Sequence, residues 1–305
     1  MQNEKAYAIG TPGKKWGEEE KLQWQKLQTI KRSYQQEVVS KIEQLGEKFN
    51  ITQYGALSFD EQRYPLFALT SQHFDDCKPT VLVTGGVHGY ETSGVHGALL
   101  FAQQFADKYQ DKVNFVIAPC LSPWGYETIN RWNPLAIDPN RSFYANSPAQ
   151  ESAKLMMFVE SLGTRLLAHF DLHETTDSDN TEFRPALAAR DAETHDNWNI
   201  PDGFYLVANS AKAEPDFQKA IIEAVSKVTH IAPADDNNQL IGVPLSQKGV
   251  INYDATPLGL CMGFSDATYV TTTEVYPDSP KVDADNCNLA QATVITAGLD
   301  YILMQ

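Results

Sequence analysis

His88 and Glu91 stand three residues apart in the run GGVHGYE at positions 85–91. Imidazole and carboxylate are ligand types that catalytic zinc takes, three protein groups at a time with one position left for water. Gly85, Gly86 and Gly89 permit the tight turn that brings both side chains to one ion. His173, in FDLHE at 170–174, offers a third ligand at the end of an apolar run. Either feature alone is common, since HxxE recurs by chance and a His after a strand usually caps or hydrogen-bonds. Together, at two apolar stretches of one chain, they point to a metal. His96 falls within a helical pattern. Like His73, His169, His195 and His230, it reads as a packed or hydrogen-bonded side chain, because three protein ligands complete a catalytic zinc site.

Two further stretches carry polar chemistry. The segment NRWNPLAIDPNRSF at 130–143 places Arg131, Asp138, Asn140 and Arg141 in a long irregular region. Arginine can grip a carboxylate through two parallel hydrogen bonds. By residue type alone, a carboxylate grip and surface ion pairs are both open readings. Glu274 is the lone carboxylate of TTTEVYP at 271–277, near the end of a strand otherwise made of Thr, Val and Tyr. It is either an exposed strand carboxylate or a cleft residue.

The elements that must position these groups follow from periodicity. Apolar residues three to five apart between 22 and 45 predict one long surface helix or two consecutive ones. Strands are expected at 51–59 and 64–70, forming a hairpin, and at 80–84, 113–118, 166–172, 204–208 and 269–275. Helices are expected at 93–109, 149–162, 216–228 and 284–303, with irregular chain at 119–147, 175–201 and 232–266. This alternation implies an α/β fold with a mixed, mostly parallel central sheet and helices on both faces. In such sheets, ligands bind beyond the carboxyl ends of the strands. Residues 1–75 read as a helical segment and hairpin packed on a core formed by 76–305, in one continuous domain.

Composition narrows the class. The formal charge is −15 from 24 Lys and Arg against 39 Asp and Glu, which argues against nucleic acid and anionic membranes as partners. The four cysteines are widely spaced, with no CxxC pair, and read as free thiols. No apolar leader or membrane span is visible, so a cytoplasmic location is expected.

The sequence resembles the zinc carboxypeptidases related to carboxypeptidase A. GGVHGYE, SPWGYE with NRWN and DPNRSF (122–143), DLHE (171–174) and TTTEVYP occur in the family's order and span most of the chain from residue 80 onward. The resemblance implies one zinc held by His88, Glu91 and His173, and a water on it activated by Glu274. It implies that Asp138 hydrogen-bonds a ligand histidine. Arg131, matched across a small gap, would polarise the scissile carbonyl. Asn140 and Arg141 would bind the terminal carboxylate, and Tyr253 would cap the substrate. Pro139 stands where the family often has Leu. The implied reaction is hydrolysis of a peptide's C-terminal amide bond.

The related aspartoacylase and succinylglutamate desuccinylase group is the alternative, with an acyl amino acid as substrate. Those enzymes typically carry a β-rich C-terminal domain. Here about thirty residues follow Glu274 and read as one helix, which favours the carboxypeptidase. A binding protein on the same fold would be expected to lose a ligand or the glutamate, and a structural zinc site would close with a fourth ligand. The nearby Glu174, Asp177 and Asp179 leave room for a second metal.

Overall fold

A computed structural model describes residues 7–194 and 199–305; His195 lies outside them. The strands are β1 (Phe49–Ala56), β2 (Pro65–Ser71), β3 (Thr80–Gly85), β4 (Asn114–Ala118), β5 (Leu166–Glu174), β6 (Tyr205–Asn209), β7 (Gln239–Leu240), β8 (Val243–Gln247), β9 (Val250–Tyr253) and β10 (Tyr269–Val275). The α-helices are α1 (Glu18–Leu27), α2 (Ser40–Gln44), α3 (Thr92–Gln104), α4 (Pro123–Thr128), α5 (Gln150–Ser161), α6 (Arg184–Asp191), α7 (Pro215–Val225) and α8 (Ala284–Ile302).

The strands form one mixed sheet in the order β1-β2-β4-β3-β5-β10-β6-β9-β8-β7. Pairing is parallel through the centre, from β4 across β3 and β5 to β10. The β1–β2 hairpin joins β4 antiparallel on one side, and β6 pairs antiparallel with β10 on the other.

The central strands are apolar in every register because both faces are covered. Val81, Val83, Phe115 and Ile117 share a core with residues of α3, α7 and α8. The alternate residues Leu82 and Val116 share another core with Leu155 and Val159 of α5. This period-two division explains why TVLVT and VNFVIA show as unbroken apolar runs.

Three stretches expected to be irregular contain elements. Residues 119–147 hold α4, residues 175–201 hold α6, and residues 232–266 hold β7, β8 and β9. β8 has no continuous apolar run, since its residues alternate between partly buried and exposed. The region 22–45 is two separate pieces: α1, then a π-helical turn at Gln35–Val39 leading into α2. The helix expected to reach residue 109 stops at Gln104 and passes into a short 3₁₀ turn.

Candidate metal centre

The turn between β3 and α3 carries two of the sequence-predicted ligands. Gly86 has φ +57°, which favours glycine. At Gly89 the turn lies so close to α4 that a Cβ would collide with the backbone of Tyr126, Gly125 and Ser122. The path leaves His88 on the turn and Glu91 at the entry to α3.

His173 comes from the end of β5. Ala168, Phe170 and Leu172 face the α3 and α8 core, so His169, Asp171 and His173 face the other way. Parallel pairing places Glu274 of β10 in register with His173, side by side at the strand ends.

The ligand atoms of His88, Glu91 and His173 all lie within 4.8 Å of one another, and all three residues are buried. His88 Nδ1 is 2.7 Å from Glu91 Oε1, and His173 Nδ1 is 2.7 Å from Glu91 Oε2. The Glu91 Oε2 atom nevertheless has no partner at hydrogen-bond geometry. A buried carboxylate oxygen that lies against a ring nitrogen without a hydrogen bond fits a donor aimed at a shared cation. The far ring nitrogens are held as well. His88 Nε2 lies 2.9 Å from Asp138 Oδ1, and His173 Nε2 lies 3.0 Å from Asp171 Oδ2. A carboxylate on the second nitrogen fixes the tautomer of a metal-binding histidine. Two imidazoles among three carboxylates suit Zn²⁺ in both ligand chemistry and charge.

Charge in the site follows this geometry. Burial opposes ionisation of Glu91, but His173 and His88 outweigh it and hold the carboxyl at about 2. Burial likewise opposes the charged form of Asp138, and Arg131 and His88 pull it well below the ordinary range. Burial, then the charge of Glu91, pushes the Glu274 carboxyl up to about 8, against His173 and a hydrogen bond from Thr175. Thr175 Oγ1 donates to Glu274 Oε2 at 2.9 Å.

The remaining predicted residues line a cleft of about 780 Å³ shared with the three ligands. Arg131 Nε donates to Asp138 Oδ2 at 3.0 Å, and its Nη1 lies 3.8 Å from Asp179. Asn140 is buried with Nδ2 3.4 Å from His173 Nε2, while its Oδ1 accepts from the Cys261 backbone at 2.7 Å. Arg141 is exposed in the cleft and makes no ion pair among the described residues; its Nη1 donates to the Asn140 carbonyl. Tyr253 ends β9 and lines the cleft, half-buried.

Glu174, Asp177 and Asp179 do not converge. Glu174 accepts the Thr92 and Ser93 amides at the start of α3, Asp177 accepts the Tyr276 hydroxyl, and Asp179 accepts the Tyr90 hydroxyl. A second cluster, His169, Asp171 and Cys261, lies beneath the centre. There Thr84 donates to Asp171 at 2.6 Å and burial pushes the Cys261 thiol well up, so the group is a hydrogen-bonded underlayer.

Three residues around the site were not singled out in the sequence. Asp171 had a usable signal, since residues two apart on a strand share a face. Thr175 had none. Arg32 had none either, because its partners are 57 to 94 residues away. Its guanidinium donates to the Gly89 carbonyl at 2.9 Å, to Thr92 Oγ1 at 2.6 Å and to the Tyr126 carbonyl at 2.6 Å. One side chain from the N-terminal segment thereby ties the turn that carries His88 and Glu91 to α4. Buried Glu127 of α4 completes the tie, accepting from the Tyr34 amide, Arg63 and the Tyr64 hydroxyl.

No curated protein matches the chain. Among solved structures, it is similar to a candidate metallopeptidase of Shewanella amazonensis, at 20% identity and TM-score 0.65 over 86% of this chain and 90% of that one. A metallo-carboxypeptidase of Burkholderia cenocepacia is 15% identical, with TM-score 0.59 over 87% of this chain and 68% of that one. Carboxypeptidase A of Helicoverpa armigera is 14% identical, with TM-score 0.59 over 89% and 73%. These likenesses show a shared fold. The zinc carboxypeptidase family profile matches residues 28–198, more than half of the 305 residues. The chain belongs to the zinc carboxypeptidase family.

Proposed function

We propose that the chain is a zinc-dependent metallocarboxypeptidase that hydrolyses the C-terminal amide bond of a peptide. The observation that carries this reading is the placement of Glu274 beside a converging His88, Glu91 and His173, in a cleft that also exposes the unpaired Arg141. Zinc held by the three ligands would supply a Lewis acid that acidifies water and polarises a carbonyl. Glu274 takes the proton of the attacking water and delivers it to the leaving amine. Burial and the charge of Glu91 raise its affinity for protons, and a cation held by Glu91 would offset that charge and favour the ionised carboxylate that a base requires. Arg131, fixed by Asp138, presents a cation to the developing oxyanion.

Asn140 and Arg141 take the substrate's terminal carboxylate. The adjoining turn gives them their setting: Cys261 bonds to Asn140, and its neighbours Leu260 and Met262 line the cleft with Val207. This apolar floor accepts the uncharged side chain of the terminal residue, and Tyr253 closes over it. The N-terminal segment up to residue 75 and the core from residue 76 onward form one domain, which the pairing of the β1–β2 hairpin with β4 supports.

Short peptides with free C-termini are expected to be cleaved and their C-terminal amides spared. Arg141→Ala should lower the preference for the free acid by about tenfold or more, the worth of a hydrogen bond to a charged group. Equal rates on free and amidated peptides would refute the carboxylate site. Turnover of N-acyl amino acids without action on peptides would replace this reading with a deacylase.

A further inference from the structure

The cleft holds more positive charge than the reaction above uses. Its lining includes six cationic side chains, Lys15, Lys21, Arg131, Arg141, Arg184 and Arg190, a quarter of the 24 in a chain of net charge −15. Six carboxylates line it too: Glu91, Asp138, Glu174, Asp179, Asp191 and Glu274. Each of those is committed. Glu91 faces the two histidines, Asp138 and Asp179 meet Arg131, and Asp191 pairs with Arg190. Glu174 caps α3, and Glu274 bonds Thr175. Lys21 is paired outside the cleft with Glu18. Among the described residues, Lys15, Arg141 and Arg184 are left without a carboxylate.

Arg141 answers the terminal carboxylate, and the floor beside it is apolar. Lys15 and Arg184 line the cleft from the N-terminal arm and from α6. There the N-terminal arm meets α6, joined by the Trp16 amide on the Arg190 carbonyl at 2.9 Å and by Trp16 against Trp132, over which Arg190 lies. Lys15 immediately precedes Trp16, and Arg184 opens α6, donating to the neutral Asn180 side chain. Cations held in a cleft and left unmatched, on a molecule whose overall charge repels anions, attract an anionic group locally.

We propose that the preferred substrate carries a second carboxylate, on the acyl side of the scissile amide, received by Arg184 of α6 and Lys15 of the N-terminal arm. This rests on the peptidase reading. The same chemistry comes from two sources, an acidic residue before the terminal one or a dicarboxylic acyl group such as succinyl.

Zinc-loaded full-length protein would be assayed at low ionic strength on N-acetyl-Glu-Phe, N-acetyl-Gln-Phe, N-acetyl-Lys-Phe, N-acetyl-Ala-Glu and N-succinyl-Phe. kcat/KM should favour Glu over Gln before Phe by about two- to fivefold, the range of exposed charge pairs. Arg184→Glu should invert the order of the Glu and Lys peptides, and Lys15→Ala, at an exposed position, should narrow the Glu-to-Gln ratio. Faster turnover of N-succinyl-Phe than of N-acetyl-Glu-Phe, with the same response to Arg184→Glu, would assign the second carboxylate to an acyl group. Equal rates on the Glu and Gln peptides, or a preference for N-acetyl-Ala-Glu, would overturn the proposal while leaving the peptidase intact. No cleavage of any peptide, the uncharged one included, would sink the peptidase reading itself.

Discussion

Glu274 is a carboxylate that its surroundings keep ready to hold a proton. Burial and the charge of Glu91 raise it, and Thr175 fixes its orientation. Glu274→Gln preserves size and the contact with Thr175 but cannot accept the water proton. It should bind zinc and melt as the wild type does, while kcat falls by about a hundred- to ten-thousand-fold, the usual contribution of a positioned general base. Retained turnover with normal metal content would move the base to another group. Much of this centre is readable from residue types, because HxxE and a strand-end histidine carry their chemistry in local spacing. The parts that were not readable depend on contacts between distant segments. Thr175 reaches Glu274 across 99 positions, and nothing in either neighbourhood announces the pair.

At the level of elements, the turn that carries His88 and Glu91 is held by chain that precedes the central sheet. Arg32 donates to Gly89 between the two ligands and to Thr92 just after them, while also holding α4. Arg32→Ala should therefore loosen the turn and weaken zinc binding by about ten- to a hundredfold, as does loss of other groups that support metal ligands. Lysine at this position can restore the charge but not all three directed bonds, so Arg32→Lys should recover only part of the affinity. Competition with a chelating dye measures both, and unchanged zinc affinity in Arg32→Ala would show that the turn holds itself. The central strands were legible because burial on both faces makes them continuously apolar. β8 and β9 were not, since β8 is half-exposed and contains Pro244, and together they span nine residues. α6 is only eight residues long and begins with Arg-Pro, and its apolar face of Ala186, Leu187 and Ala189 is too short and too small to stand out in a charged stretch.

The whole molecule contains histidines that folding keeps neutral. His96 on α3 lies with Nδ1 3.3 Å from Lys41 Nζ and Nε2 3.1 Å from the Tyr126 hydroxyl, and burial followed by the charges of Lys41 and Arg32 holds it at about 4. Buried His169 is also held at about 4. The unfolded chain binds a proton at each site below about 6.5, and the folded chain does not until about 4. Stability from these groups is therefore present above 6.5 and lost as the pH falls through that window. Each contributes a slope of up to about 1.4 kcal/mol per pH unit. His96→Gln should flatten the decline in urea-unfolding free energy between pH 6.5 and 4 relative to wild type, whereas an identical slope would mean that His96 titrates normally in the fold. Among the described residues no helix is long and apolar enough to cross a membrane.

Zinc-dependent hydrolysis here requires three side chains, from one turn and one strand end, to meet at a single ion. Its most direct test is the zinc content of purified chain measured by elemental analysis, for wild type and for His88→Ala, Glu91→Ala and His173→Ala, with circular dichroism to show that each variant is folded. About one zinc per wild-type chain is expected, as for a catalytic site of three protein ligands, with loss of most of it in every folded variant. Full zinc retention by folded His173→Ala would contradict the account, because the strand-end histidine would then have no part in holding the metal.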